Sequence, residues 1–311
     1  MARALIFPGQ GSQAVGMGKA LADAFPQARA VFDEVDDALG QKLSVLMFEG
    51  PADELTLTAN AQPALMAASL AGFRVLEAER GLDLARDVAC VAGHSLGEYA
   101  ALAAAGSLTI ADAARLLRIR GEAMQRAVAP GAGAMAALIG TDPETAQAIA
   151  AEAAGDEACD VANDNGGGQV VLSGHRAAVE RAVALAQSRG IKRAVLLNVS
   201  APFHCRLMAP AAEAMRTALA EVALDAPKVP LYANVTAAPE SDPNAIRRNL
   251  VAQVTGTVRW RESVAAMAAS GITQFHEVGS GKVLSGLVKR IAAGATASAI
   301  GTPDDVAAFS L

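Results

Sequence analysis

Rings are scarce in this chain: aromatic residues make up 4% of its 311 residues, with one tryptophan and two tyrosines, while hydrophobic residues reach 52%. The interior must be filled by Ala, Val, Leu and Ile, the composition of a helix-rich α/β protein. Cysteine is rarer than in any disulfide scaffold. Cys90, Cys159 and Cys205 are odd in number and lack CxxC spacing, which excludes a disulfide framework and a thiolate metal site. No stretch approaches the ~20 apolar residues of a spanning helix, and the apolar run from Met1 to Pro8 is too short for a signal peptide. No membrane partner is therefore expected, and a cytoplasmic setting is. The sequons at Asn198 and Asn234 then carry no glycosylation meaning. Positive charge is also in deficit: a net charge of −6 argues against nucleic acid as the main partner and leaves any basic docking surface local.

Against these absences stands one dense motif. Gly93-His94-Ser95-Leu96-Gly97 lies between the apolar stretch 87–92 and the helix-prone stretch 98–102. Strand, sharp turn and helix in that order form the GxSxG nucleophile elbow, which projects the serine hydroxyl toward an acyl carbon. Glycines on either side of the serine are needed where strand and helix pass too close for a Cβ. The helix entry also aims free backbone N–H groups at the reaction centre, above all that of Leu96. The competing reading of the same residues is a glycine-flanked turn with no chemistry.

The order of elements predicts the fold class. A strand at 3–7 ends in the loop Pro8-Gly9-Gln10-Gly11-Ser12-Gln13. Helical spacing covers 18–39, then 63–80 with Gly81 as C-terminal stop, then 110–129. From Pro130-Gly131 the pattern changes to strand 133–140, helix 143–154, strands 159–163 and 169–173, helix 177–189 and strand 191–199, a βαββαβ order of the ferredoxin-like kind. Helix 209–221, strand 229–235, helices 244–253 and 261–270, strand 273–278, helix 283–293 and strand 298–300 follow. The expectation is α/β: an α/β-hydrolase-like parallel-sheet large domain over 1–130 and 200–311, with an inserted small ferredoxin-like subdomain over 131–199.

A serine hydroxyl needs a proton acceptor, and histidine is the usual one. The chain has four. His94 precedes the nucleophile and leaves the elbow in another direction, so a supporting role for the turn is expected. His175 lies near the start of a helix, where capping or a surface role is expected. His276 sits late in a strand, as the late histidine of α/β-hydrolases does. His204 sits in Ala201-Pro202-Phe203-His204-Cys205, where the chain re-enters the large unit, and clefts between units are where sites form. Position alone leaves His204 and His276 both open.

A second clue is a charge on an apolar face. Arg120 lies four residues after Leu116, three after Leu117 and four before Met124, so it shares their stripe. A guanidinium there needs an anion. That anion is an internal Asp or Glu in a structural salt bridge, or the carboxylate of a substrate.

Taken together, Pro8-Gly9-Gln10-Gly11-Ser12-Gln13, Gly93-His94-Ser95-Leu96-Gly97-Glu98-Tyr99, Arg120-Gly121, Gly133-Ala134-Met135 and Pro202-Phe203-His204 resemble the malonyl-CoA:acyl carrier protein transacylases. Ala61-Gln62-Pro63-Ala64, Gly174-His175 and Glu277-Val278-Gly279 fit as well, and the resemblance runs from about residue 3 to 300. It implies that Ser95 is the nucleophile and His204 its base, which decides against His276. It implies that Gln10 and Leu96 supply oxyanion-hole N–H groups, that Gln10 and Arg120 bind substrate, and that Arg120 grips the malonyl carboxylate. A backbone carbonyl near Gln253 orients the histidine, so no triad acid is expected. Malonyl-CoA and acyl carrier protein are the implied partners, with a malonyl-serine intermediate, ping-pong kinetics and neither metal nor cofactor. A serine esterase or thioesterase with the same elbow, and a binding module with a dead one, are the alternatives.

Two segments depart from the family pattern. Asn163-Asp164-Asn165-Gly166-Gly167-Gly168-Gln169 has glycines where the family often has Ser-Pro, and Thr255-Gly256-Thr257-Val258 lacks a frequent proline before the valine. Both are expected to loosen loops near the cleft. Since carrier protein is acidic, Arg189, Lys192 and Arg193, with Lys289 and Arg290, are candidates for a local basic patch.

Overall fold

Ten strands form among residues 2–311, the part of the chain that the computed structural model describes. They are β1 (Ala2–Phe7), β2 (Cys90–Gly93), β3 (Gly133–Ile139), β4 (Cys159–Gly166), β5 (Gln169–His175), β6 (Arg193–Leu196), β7 (Leu231–Tyr232), β8 (Pro239–Glu240), β9 (Ile272–Val278) and β10 (Thr296–Ile300). Six of them make one sheet in the order β10-β9-β1-β2-β7-β8, parallel throughout except for the short β8. Its centre is β1, whose Ala4, Leu5, Ile6 and Phe7 are all fully buried. An unbroken apolar run is what a strand covered on both faces requires.

The other four strands form an antiparallel sheet in the order β4-β5-β3-β6. Alternation gives this sheet two apolar faces. Ala134, Ala136, Leu138, Val170 and Leu172 pack in a core of their own with the helices Pro143–Ala154 and Arg176–Ser188. Met135, Ala137, Ala162 and Val171 point the other way and join the main core of the parallel-sheet unit. The small sheet therefore lies against the large unit, and β4 is brought over the end of β2.

Several expected elements differ in detail, each for a local reason. The helix read over 18–39 is two helices, Lys19–Ala24 and Pro26–Leu39, because Phe25 is extended (φ −132°, ψ 121°) as a residue before proline prefers to be. The helix read from Pro63 begins at Thr58 and carries Pro63 inside it. There the helix meets Ile110–Arg126 at Gly121, where an added Cβ would stand 2.6 Å from the Ala59 Cα. Close helix packing outweighs the hydrogen bond that the proline forfeits. The strand read over 229–235 shrinks to Leu231–Tyr232, since the Asn234 N–H leaves the sheet for a side chain of the elbow. The helices Leu43–Glu49, Ala52–Thr56 and Pro303–Ala308 fall where no element was assigned.

The segments expected to loosen the cleft are instead tied down. Gly166, Gly167 and Gly168 all have positive φ and turn β4 into β5 against the helix Val283–Ile291. A Cβ on Gly166 would lie 2.6 Å from Ile291. The Val258 N–H donates to the Ala162 carbonyl and the Thr257 hydroxyl to that of Val161, which fixes the other segment to β4. Among the described residues, no helix is long and apolar enough to cross a membrane.

Candidate active site

Both glycines of the elbow are dictated by contact. A Cβ on Gly93 would stand 1.9 Å from the Gly97 carbonyl carbon, and one on Gly97 would stand 2.3 Å from the Phe7 carbonyl oxygen. Between them Ser95 has φ 53°, a left-handed conformation that costs a residue with a Cβ roughly 1–2 kcal/mol. The strain is braced from both sides of the residue. The Ser95 N–H donates to Asn234 Oδ1 at 2.7 Å, and Gln253 Nε2 donates to the Ser95 carbonyl at 2.9 Å. Asn234 Nδ2 also donates to the Gly93 carbonyl at 2.7 Å, so one amide clasps the turn at two points.

His204 reaches this serine from the loop that returns to the large unit. Its Nε2 is 2.7 Å from Ser95 Oγ, and its Nδ1 is 2.8 Å from the Gln253 carbonyl oxygen. A carbonyl can only accept, so Nδ1 carries the proton and Nε2 presents a lone pair to the serine hydroxyl. Burial, reinforced by the Arg120 charge, pulls the His204 pKa down to about 3, against the raising effect of the Gln253 carbonyl. The imidazole is therefore neutral near pH 7, as a proton acceptor must be. No acid stands behind it; the carbonyl does the orienting.

Arg120 lies on the buried stripe of its helix at 1% exposure, and its polar contacts are neutral. Nη1 donates to Gln62 Oε1 at 2.7 Å, while Nη2 donates to Gln253 Oε1 at 2.8 Å and to Ser95 Oγ at 3.1 Å. Its Cζ lies 5.9 Å from the centre of the Tyr99 ring, and its Nε has no partner among the described residues. The internal salt bridge left open by sequence is thus not what holds this arginine. The acid whose charge it feels on the elbow helix is Glu98, itself 1% exposed. Burial pushes the Glu98 carboxyl up to about 8, against the lowering effect of the Asn234 and Gln253 N–H donors and the Arg120 charge.

Ser95, His204 and Arg120 open together into a cavity of about 420 Å³ that Gln10, Gln62, His94, Leu96, Met135, Asn163 and Leu197 also line. Gln10 is held there by the Thr58 hydroxyl, which donates to its Oε1 at 2.7 Å. Leu96 precedes the helix Gly97–Ala104, whose own first N–H groups donate to the His94, Ser95 and Leu96 carbonyls. The arrangement can deprotonate a hydroxyl, stabilise an oxyanion and hold a carboxylate beside it. No cluster of three or more His, Cys, Asp or Glu able to hold a metal ion occurs among the described residues.

The other histidines serve the framework. His94 Nε2 pairs with Asn165 Oδ1 at 2.8 Å and its ring lies 5.7 Å from that of Trp260, tying the elbow to β4 and the helix Trp260–Ala269. His175 stands before its helix but makes no side-chain cap; its Nδ1 accepts from the Ala158 N–H at 2.8 Å. His276 is 2.8 Å from Ser298 Oγ between β9 and β10 and does not line the cavity. Of the candidate basic patch, Arg189 is paired with Glu152, Lys192 and Arg193 lie at the start of β6, and Lys289 and Arg290 close their helix.

Sequence reasoning passed over Asn234, Glu98 and the Gln253 side chain. For Glu98 a signal was present: it is the single charge in an otherwise apolar helix, Gly97–Ala104, the same anomaly that drew attention to Arg120.

Comparison with known proteins supplies an independent line. The family model for the acyl transferase domain matches residues 4–302. The chain is 47% identical over 305 residues to the malonyl CoA-acyl carrier protein transacylase of Escherichia coli (strain K12), covering 98% of this chain and 97% of that one. It is 45% identical over 304 residues to the enzyme of the same name from Bacillus subtilis (strain 168), covering 97% and 94%. Its structure is similar to that of an acyl-carrier-protein-S-malonyltransferase from Bartonella henselae, with a TM-score of 0.97, 58% identity and coverage of 99% and 98%. A malonyl-transacylase solved in complex with a type II PKS acyl-carrier protein is similar at a TM-score of 0.95 and 41% identity, covering 99% and 98%.

Proposed function

Since the chain belongs to the acyl transferase family that includes the malonyl CoA-acyl carrier protein transacylases, we propose that it transfers a malonyl group from malonyl-CoA to the phosphopantetheine thiol of acyl carrier protein. The observation that carries this reading is a buried guanidinium 3.1 Å from a serine hydroxyl that a neutral imidazole approaches at 2.7 Å. A nucleophile with a cation beside it suits an acyl group that ends in a carboxylate.

His204 takes the Ser95 proton on Nε2 as Oγ attacks the thioester carbon. The Gln10 and Leu96 N–H groups stabilise the oxyanion, and the coenzyme A thiolate leaves with the proton that His204 returns. Arg120 turns its guanidinium to the malonyl carboxylate in a bidentate pair. The carrier thiol then attacks the malonyl-serine ester, with His204 again moving the proton, and Ser95 is restored. Residues 131–199 are an inserted unit on this reading, with Met135, Asn163 and Leu197 contributing to the wall of the acyl site. A cytoplasmic setting suits the three cysteines, all free and buried.

Replacing Arg120 tests the assignment against a serine esterase. A charged hydrogen bond of this kind contributes ~1.5–3 kcal/mol, so Arg120→Ala should slow malonyl loading roughly ten- to hundredfold and leave acetyl loading nearly unchanged. Near-indifference of both acyl-CoA donors to the substitution, measured by intact mass against time, would point to a hydrolase of neutral esters.

A further inference from the structure

The reaction as derived leaves the buried acid beside the elbow, Glu98, without a task. It lies three residues after Ser95, is 1% exposed in the first turn of the helix Gly97–Ala104, and does not line the cavity. Its two oxygens accept separate N–H donors: Oε1 takes the backbone N–H of Asn234, and Oε2 takes the side-chain amide of Gln253. Those two donor residues define the geometry of everything that reacts. Asn234 holds the Ser95 N–H and the Gly93 carbonyl. Gln253 holds the Ser95 carbonyl with the same Nε2, Arg120 with its Oε1, and His204 with its backbone carbonyl.

The orientation of the Gln253 amide follows from charge. Its Oε1 faces a guanidinium donor and its Nε2 faces a carboxylate acceptor, so a flipped amide would set donor against donor at Arg120 and acceptor against acceptor at Glu98. Both oxygens of Glu98 meet N–H donors, contacts that favour the ionised form against the burial that favours the neutral one. A carboxyl partnered by neutral N–H groups is costly to bury, and a place in the first turn, where the helix dipole favours an acid, offsets only part of that cost.

We propose that Glu98 is a positioning residue for acyl transfer, fixing the Asn234 backbone and the Gln253 amide, which in turn hold Ser95, His204 and Arg120 in reactive register. The proposal rests on the transacylase reading and adds a residue that touches no substrate. Because it acts on the nucleophile and the base, its effect reaches every acyl donor, whereas that of Arg120 is confined to carboxylate-bearing ones. Because the group is costly to bury, its removal does not weaken the fold in proportion.

The test uses the full-length protein and two acyl donors. In Glu98→Gln, one amide must turn an NH2 toward a donor, so the Asn234 or the Gln253 contact is lost at constant volume. Ser95 acylation by malonyl-CoA and by acetyl-CoA should both slow by tenfold or more, by similar factors. The loss should fall on kcat while KM for malonyl-CoA stays within about threefold, and the melting temperature should hold or rise. An E98Q enzyme that acylates at the wild-type rate overturns the proposal and leaves the transacylase reading intact; a wild-type protein that takes up no malonyl overturns both. If E98Q does not fold, Asn234→Ala decides. It leaves the Glu98 contact to the backbone in place but removes the clasp on Ser95, and it should slow both donors alike; wild-type acylation by N234A rejects the relay.

Discussion

The two walls of the cavity are built on different principles. The large unit supplies Ser95, His204, Arg120 and Gln62, whose polar atoms are joined in a buried chain of hydrogen bonds at 2.7–3.1 Å. The small unit supplies Met135, Asn163 and Leu197, and beyond them its edge strand β6 leaves Val195 and Leu196 about half exposed. One wall over-determines the position of each reacting atom, and the other offers a mostly apolar shape, with Asn163 its polar exception. The contrast teaches that chemistry here depends on backbone and hydrogen-bond geometry at the end of the parallel sheet, while the antiparallel sheet supplies part of the cavity wall.

Glycine substitutions probe that contrast most strongly. Gly93→Ala puts a Cβ 1.9 Å from backbone that cannot yield, and should cost about 4 kcal/mol or more, read as loss of folded protein or a collapse in urea midpoint. Gly168→Ala has positive φ but only ordinary contacts, the nearest at 3.5 Å, and should cost about 1–2 kcal/mol. Comparable losses for the two would break the distinction between the walls.

The chemical wall also carries an acid liability. In the folded protein His204 stays mostly unprotonated until the pH nears about 3, whereas in the unfolded chain it takes up a proton around its ordinary 6.5. Unfolding is then favoured by proton uptake, so this residue lowers stability as the pH falls from 6.5 toward 3. His204→Gln should lose less stability than wild type between pH 6.5 and pH 4, as measured by urea midpoints. Parallel losses in the two proteins would show that burial of His204 is not what the fold resists at low pH.

The smallest effect belongs to the apolar wall. Leu197→Ser should raise KM for malonyl-CoA about two- to fivefold with kcat unchanged, because a partly exposed leucine contributes only a fraction of the ~1.5–3 kcal/mol of full burial. A fall in kcat instead would mean that this wall shapes the chemistry as well.

The same division explains what could be read from the sequence. The elbow is contiguous, so Gly93, Ser95 and Gly97 carry their own context, and Arg120 is exposed by a period that its own helix sets. Two-sheet architecture follows from a change in strand and helix order near residue 131. His204 could only be narrowed to one of two histidines by position, since its partnership with Ser95 spans 109 residues. The Asn234 and Gln253 contacts to Glu98 span 136 and 155 residues and join uncharged amides that no local pattern marks. The split at Phe25 was legible in Pro26, and was masked by helical spacing on both sides. Pro63 misled for the opposite reason: a local preference for the helix start lost to the close crossing at Gly121.

Locating the acyl group on the protein tests the central claim most directly. Wild-type protein mixed with malonyl-CoA should gain one malonyl group, mapped by peptide fragmentation to Ser95, and should lose it when acyl carrier protein bearing phosphopantetheine is added. A malonyl group on any other residue, or equal labelling of Ser95→Ala, would contradict the account.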